Sequence, residues 1–116
     1  MQGIPKKILE KHVRAAIRSY LNLRGVFFWA NLTAGLYDPK MGGRRKHPNP
    51  GIPDLIALHH GVMVGIEVKR PGGKAKPHQQ AFLDMIIERG GRAVVADDVS
   101  KVIDIIEQIG AEHGKQ

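Results

Sequence analysis

The stretch DLIALHHGVMVGIEVK, residues 54–69, limits most narrowly what this chain can fold into. Two runs rich in β-branched and apolar residues flank His60-Gly61, and a glycine in that place can supply a positive φ, so the stretch reads as a hairpin closed by a two-residue turn. Counting outward from the turn, Asp54 falls opposite Glu67. Side chains alternate along a strand, which puts Val64, Ile66 and Val68 on one face and Gly65, Glu67 and Lys69 on the other. Directly opposed residues have Cβ atoms about 4.5–5.5 Å apart, and two carboxylates held so repel each other unless a cation lies between them. A divalent metal supplies such a cation.

Ile4 to Leu23 reads as a helix, with Pro5 in its first turn, Leu9, Val13, Ala16, Ile17, Tyr20 and Leu21 at helical spacing, and Gly25 ending it. Glu10 sits at the edge of that stripe, where two readings stand: an exposed pair with Arg14, or a carboxylate aimed at a site. Val26 to Leu32 reads as the first strand. From Tyr37 to Pro53 the chain carries four prolines, three glycines and the basic cluster Lys40, Arg44, Arg45, Lys46 and His47. It reads as an irregular basic loop suited to phosphate contact. After the hairpin, RPGGKAK brings Arg70, Lys74 and Lys76 on a second basic loop. A helix over Pro77–Arg89 follows, then a strand over Arg92–Ala96, then a helix capped by Asp98 or Ser100 with Val102, Ile103, Ile106 and Ile109 as its apolar stripe. Gln79 occupies the first turn of the core-facing stripe made by Phe82, Leu83 and Ile86. It is either an end-of-helix residue in solvent or a contact to a site.

The order α-β-β-β-α-β-α makes the first three strands an antiparallel meander. The helical crossover makes the last pair parallel, giving an α/β sandwich with a mixed sheet flanked by helices. At 116 residues one domain, 1–116, is expected. There is no apolar run long enough for a membrane and no signal-peptide pattern at the N-terminus, so a cytoplasmic place is expected. Without cysteine, disulfides and thiolate metal sites are excluded, and carboxylate, carbonyl, histidine and water remain, a ligand set suited to Mg²⁺ or Mn²⁺. The net charge of +7 points to a polyanionic partner. It is unevenly spread: residues 1–83 hold fourteen Lys and Arg against four acids, Glu10, Asp38, Asp54 and Glu67, while residues 84–116 hold four bases against seven acids. Carboxylates kept inside a basic field are candidates for a site.

Pro53-Asp54, then Glu67-Val68-Lys69 thirteen residues on, resembles the PD-(D/E)xK pattern of a nuclease superfamily. Within it, GIPDLIAL, GIEVKRPGG and the helix start Gln79-Gln80-Ala81-Phe82 are similar to the VRR-NUC family, the virus-type replication-repair nuclease domain. Glu10 and the Asn31–Gly35 stretch fit that family less sharply. The resemblance implies that Asp54 and Glu67 bind a divalent metal, Mg²⁺ with Mn²⁺ as a substitute, with the Val68 carbonyl a further ligand and Glu10 completing or supporting the shell. It further implies that Lys69 contacts the scissile phosphate or the attacking water, and that Gln79 orients that water or Lys69. His59 and His60, adjacent at a turn, are expected to be exposed and not ligands.

The leading expectation is therefore a metal-dependent DNA endonuclease that recognises shape, since no base-reading motif is present. The resemblance implies branched substrates such as four-way junctions or flaps, a homodimer, and work on DNA repair in a bacterial or phage-infected cell. A basic nucleic-acid-binding module that keeps the nuclease fold without catalysis is the alternative. A restriction-type enzyme with a strict target comes last, for want of room for a recognition domain.

Overall fold

The computed structural model describes residues 7–31, 37–38, 43–44 and 51–115. In chain order the elements are α1 (Glu10–Leu23), β1 (Phe27–Ala30), β2 (Tyr37–Asp38), β3 (Gly43–Arg44), β4 (Leu55–His59), β5 (Val62–Val68), α2 (Pro77–Glu88), β6 (Arg92–Ala96) and α3 (Val99–His113). Four strands form one sheet in the order β1-β4-β5-β6, antiparallel across the first two pairings and parallel between β5 and β6.

The β4–β5 hairpin sets the rest. His60 and Gly61 both adopt positive φ, 49° and 78°, a combination whose twist matches that of the flanking strands. The register follows: His59 pairs with Val62 and Leu55 with Ile66. One step further out, Asp54 stands beside Glu67, as the sequence predicts. Val64, Ile66 and Val68 turn into a core shared with Val13, Ile17 and Leu21 of α1 and Val102, Ile106 and Ile109 of α3. A fully buried aliphatic side chain of this kind contributes about 1.5–3 kcal/mol. Asp98 caps α3, accepting from the Ser100 N–H at 3.0 Å.

The opposite face of the sheet carries α2. Leu83 and Ile86 lie so close over β5 that a Cβ on Gly65 would meet Ile86 Cδ1 at 2.7 Å and Pro53 Cγ at 3.2 Å. Glycine is what lets the helix seat. Gly65→Val should therefore cost about 1–3 kcal/mol, read as a lower urea midpoint with an unchanged slope. An unaltered midpoint would mean the helix is not seated on that glycine.

Two expectations need correction. Helix α1 begins at Glu10 and not near Ile4: Lys7 to Leu9 are not helical, and Ile4 and Pro5 fall outside the described residues. Ile8 and Leu9 are exposed, so no buried stripe rewards another turn there, and the Leu9 N–H instead donates to His12 Nδ1 at 2.9 Å. The stretch read as an irregular loop contains a small antiparallel ribbon, β2 with β3. Strands of two residues carry no periodicity that a sequence could display. Among the described residues no helix is long and apolar enough to cross a membrane.

Candidate active site

Asp54 ends the connection into β4, and β1 holds it there. The Asn31 N–H donates to the Asp54 carbonyl at 2.8 Å and Asn31 Nδ2 donates to the Pro53 carbonyl at 2.9 Å. With that backbone fixed, Asp54 Oδ2 accepts the Val68 N–H at 2.8 Å, tying the acid across to the end of β5. Glu67 precedes Val68, on the face turned to α2. Its side chain is only 3% exposed, and Oε2 is buried and accepts no hydrogen bond from an N–H or O–H among the described residues. Burial, reinforced by the Asp54 charge and by a hydrogen bond between the two carboxyls, pushes the Glu67 carboxyl up to about 8.

Gln79 closes the site from the first turn of α2. Its Oε1 accepts from Lys69 Nζ at 3.0 Å and from the Lys76 N–H at 2.9 Å, while Nε2 donates to Glu67 Oε1 at 3.3 Å. Of the two sequence readings for this residue, solvent or site contact, the structure has the contact. One amide therefore fixes the helix start, the ammonium and the carboxylate together. Lys69 Nζ, on a side chain 15% exposed, lies 3.9 Å from Glu67 Oε1. The Lys69 N–H donates to the Ala96 carbonyl, which anchors the backbone while the amine stays near the surface.

Glu10 is bound to Arg14 at 2.7 Å, the exposed-pair reading, and Arg14 also reaches Asp54 Oδ1 at 4.0 Å. Glu10 still adds to the negative field felt by Glu67. Among the described residues no three His, Cys, Asp or Glu side chains converge as a ready metal cage. Asp54 and Glu67 do stand together, with the Val68 carbonyl next in the chain. Mg²⁺ characteristically takes one or two carboxylates and completes its shell with water and substrate phosphate, so the buried, uncompensated Glu67 Oε2 and its acidic neighbour fit such an ion.

Arg70, Lys74 and Lys76 are exposed on the β5–α2 connection beside this pair. The Gly72 N–H donates to Asp97 Oδ2 at 3.0 Å, and Lys101 holds the other oxygen of Asp97 at 2.7 Å, so that connection is tethered to the start of α3. Lys40, Arg45 and Lys46 lie outside the described residues, and Arg44 is placed by its backbone in β3. His59 and His60 are at the far end of the hairpin, about 17 Å along β5 from Glu67. There His60 stacks on His113, ring centroids 3.9 Å apart, an aromatic contact that turn position alone did not reveal. Arg14 and Asn31 are residues at the acidic pair to which sequence reasoning assigned no role there, although it paired Arg14 with Glu10 and set Asn31 in the stretch that fits the family less sharply. The i, i+4 spacing from Glu10 signalled the first, but the second depends on a β1–β4 register set across a long connection.

A mixed sheet with an acidic pair at one end of a hairpin, a lysine two residues on and a glutamine reaching in from the next helix defines a nuclease-type α/β core. The family model for the VRR-NUC domain matches residues 41–99, and the chain belongs to that family. A solved structure named as a VRR_NUC domain protein superposes with a TM-score of 0.60 at 25% identity, covering 89% of this chain and 88% of that one. A search of curated proteins finds no match.

Proposed function

We propose that this single nuclease domain is a divalent-metal-dependent DNA endonuclease that hydrolyses phosphodiester bonds in branched DNA such as four-way junctions or flaps. The observation that carries the reading is the buried Asp54–Glu67 pair, whose Glu67 Oε2 meets no N–H or O–H donor among the described residues, flanked by an ammonium that Gln79 holds in place. Asp54, Glu67 and the Val68 carbonyl would hold Mg²⁺ or Mn²⁺, with Glu10 supporting the shell from behind Arg14. The ion, when bound, supplies Lewis-acid charge stabilisation and lowers the pKa of water. Lys69 presents positive charge where negative charge gathers on the phosphate, and Gln79 keeps that amine from swinging into solvent. Arg70, Lys74 and Lys76, with Lys40, Arg44, Arg45 and Lys46, would grip flanking phosphates and set position without reading sequence.

Labelled linear, flapped, splayed and four-way DNA, incubated with Mg²⁺ or Mn²⁺, tests this directly. Cleavage of the branched forms should vanish in EDTA and fall by more than about a thousandfold in Asp54→Asn and Glu67→Ala. Salt-sensitive binding with no product under any metal would instead establish a binding module. Symmetric incision of a four-way junction needs two sites, and a homodimer is the assembly the proposal calls for. Light scattering on the junction complex should give two chains, and one chain would rule out paired cutting.

A further inference from the structure

Phe27, Phe28 and Trp29 are consecutive, yet among the described residues only the middle one packs its ring against the hydrophobic core. Phe28 packs against the core shared by α1 and α3, with the Arg18 guanidinium 5.8 Å from its ring centroid. Phe27 and Trp29 point to the other face and stay 65% and 41% exposed. The register identifies that face. Trp29 pairs with Ile56, which pairs with Gly65, and Gly65 lies under α2 on the same side as Glu67. Phe27 heads the next row, with Leu58 and Met63, both largely exposed. Because α2 covers the sheet at β5 and β6, the aromatic pair at the β1 edge lies open beside the Asp54–Glu67 row. Trp29 stands two residues along and two strands across from Glu67, about 12 Å away by strand geometry.

We propose that Phe27 and Trp29 form a stacking platform for the bases of unpaired nucleotides next to the bond to be cut. The rings sit 5.7 Å apart at 50°, and among the described residues neither joins the core cluster. The β5–α2 connection, which begins two residues after Glu67, carries the exposed cations Arg70 and Lys74, in a chain of net charge +7. A partner that is polyanionic along its backbone and yet offers flat apolar surfaces is a nucleic acid strand with its bases unpaired. Duplex DNA hides those surfaces in its stack, so the platform distinguishes splayed or flapped strands from a continuous helix without reading sequence. This deepens the nuclease reading and rests on it for its biological sense, but its test requires no cleavage.

Trp29 is the sole tryptophan, so its emission reports this surface alone. In EDTA, titrating the full chain with a labelled single-stranded oligothymidylate should quench that emission in step with the rise in oligonucleotide anisotropy. Phe27→Tyr should keep the affinity and Phe27→Leu should lower it roughly fivefold to a hundredfold, the range measured for loss of one base–aromatic stack. Matched melting temperatures establish that these exposed positions leave the fold intact. Four results overturn the proposal: no binding at low salt, binding without quenching, equal affinity in Phe27→Leu, or emission that shifts with protein concentration in DNA-free samples. The last, with a doubled mass lost in Phe27→Asp, would assign the face to a second copy of the chain. Quenching without any metal-dependent cleavage would sink the nuclease reading and leave the platform standing.

Discussion

Glu67→Gln is expected to melt on the order of 10 °C above the unaltered protein at pH 8 in EDTA, while losing cleavage in Mg²⁺. The carboxyl of Glu67 is pushed from an ordinary 4.5 up to about 8, first by burial and then by Asp54. A folded-state pKa above the unfolded one means the fold favours the protonated group. Its contribution is full below pH 4.5 and is lost as pH rises through about 8. Each unit of difference corresponds to about 1.36 kcal/mol, so the loss by pH 8 is of the order of several kcal/mol, shared with Asp54 because the two titrate together. Glutamine cannot ionise and can donate to Asp54. His59 runs the other way: burial first, then the neighbouring positive groups, lowers its pKa, so its contribution is present above about 6.5 and fades below that. Melting between pH 7.5 and 8.5, where His59 is almost wholly neutral in both states, isolates the glutamate. Saturating Mg²⁺ should abolish the downward slope in the unaltered protein by binding only the fold. A flat metal-free profile, or a glutamine variant less stable at pH 8, would show that the acidic pair stores no repulsion.

The hairpin and what stands at its open end were legible because everything needed lies within sixteen consecutive residues. A two-residue turn fixes the register, and register fixes both faces, so Asp54 beside Glu67 followed from counting. Helix α2 and strand β6 were equally local. Asn31 could not be placed, since its pairing with the Asp54 backbone crosses more than twenty residues with no periodic signal. The start of α1 was misplaced because Leu9 continues the apolar spacing while nothing covers it. A wheel records where a side chain points and not what it meets. Gln79 was visible as an amide in the wrong stripe, but its link to both Lys69 and Glu67 depends on how α2 sits on Gly65, a tertiary fact.

Replacing Lys69 by Met should lower the rate of cleavage by about a hundredfold to a thousandfold with little change in DNA affinity, the scale seen when one donor to a charged transition state is removed. The geometry gives reasons for both halves. Lys69 Nζ is held 3.0 Å from Gln79 Oε1 and 3.9 Å from Glu67 Oε1, a fixed charge at the acidic pair, whereas under the proposed function affinity would be spread over exposed cations such as Arg70, Lys74 and Lys76. Gln79→Ala keeps the amine but frees it, and it also removes the acceptor for the Lys76 N–H at the helix start. That variant should lose about tenfold to a hundredfold in turnover, with KM nearly unchanged and a small drop in melting temperature from the lost cap. Gln79→Glu offers the same acceptor to Lys69 but sets a third negative charge against Glu67, so it should raise metal affinity while leaving turnover depressed. Single-turnover rates with Mg²⁺ varied separate these effects. Full activity in Lys69→Met, or equal losses in affinity and rate across the three variants, would remove the ammonium from the chemistry and leave it a partner that merely balances the charge of Glu67.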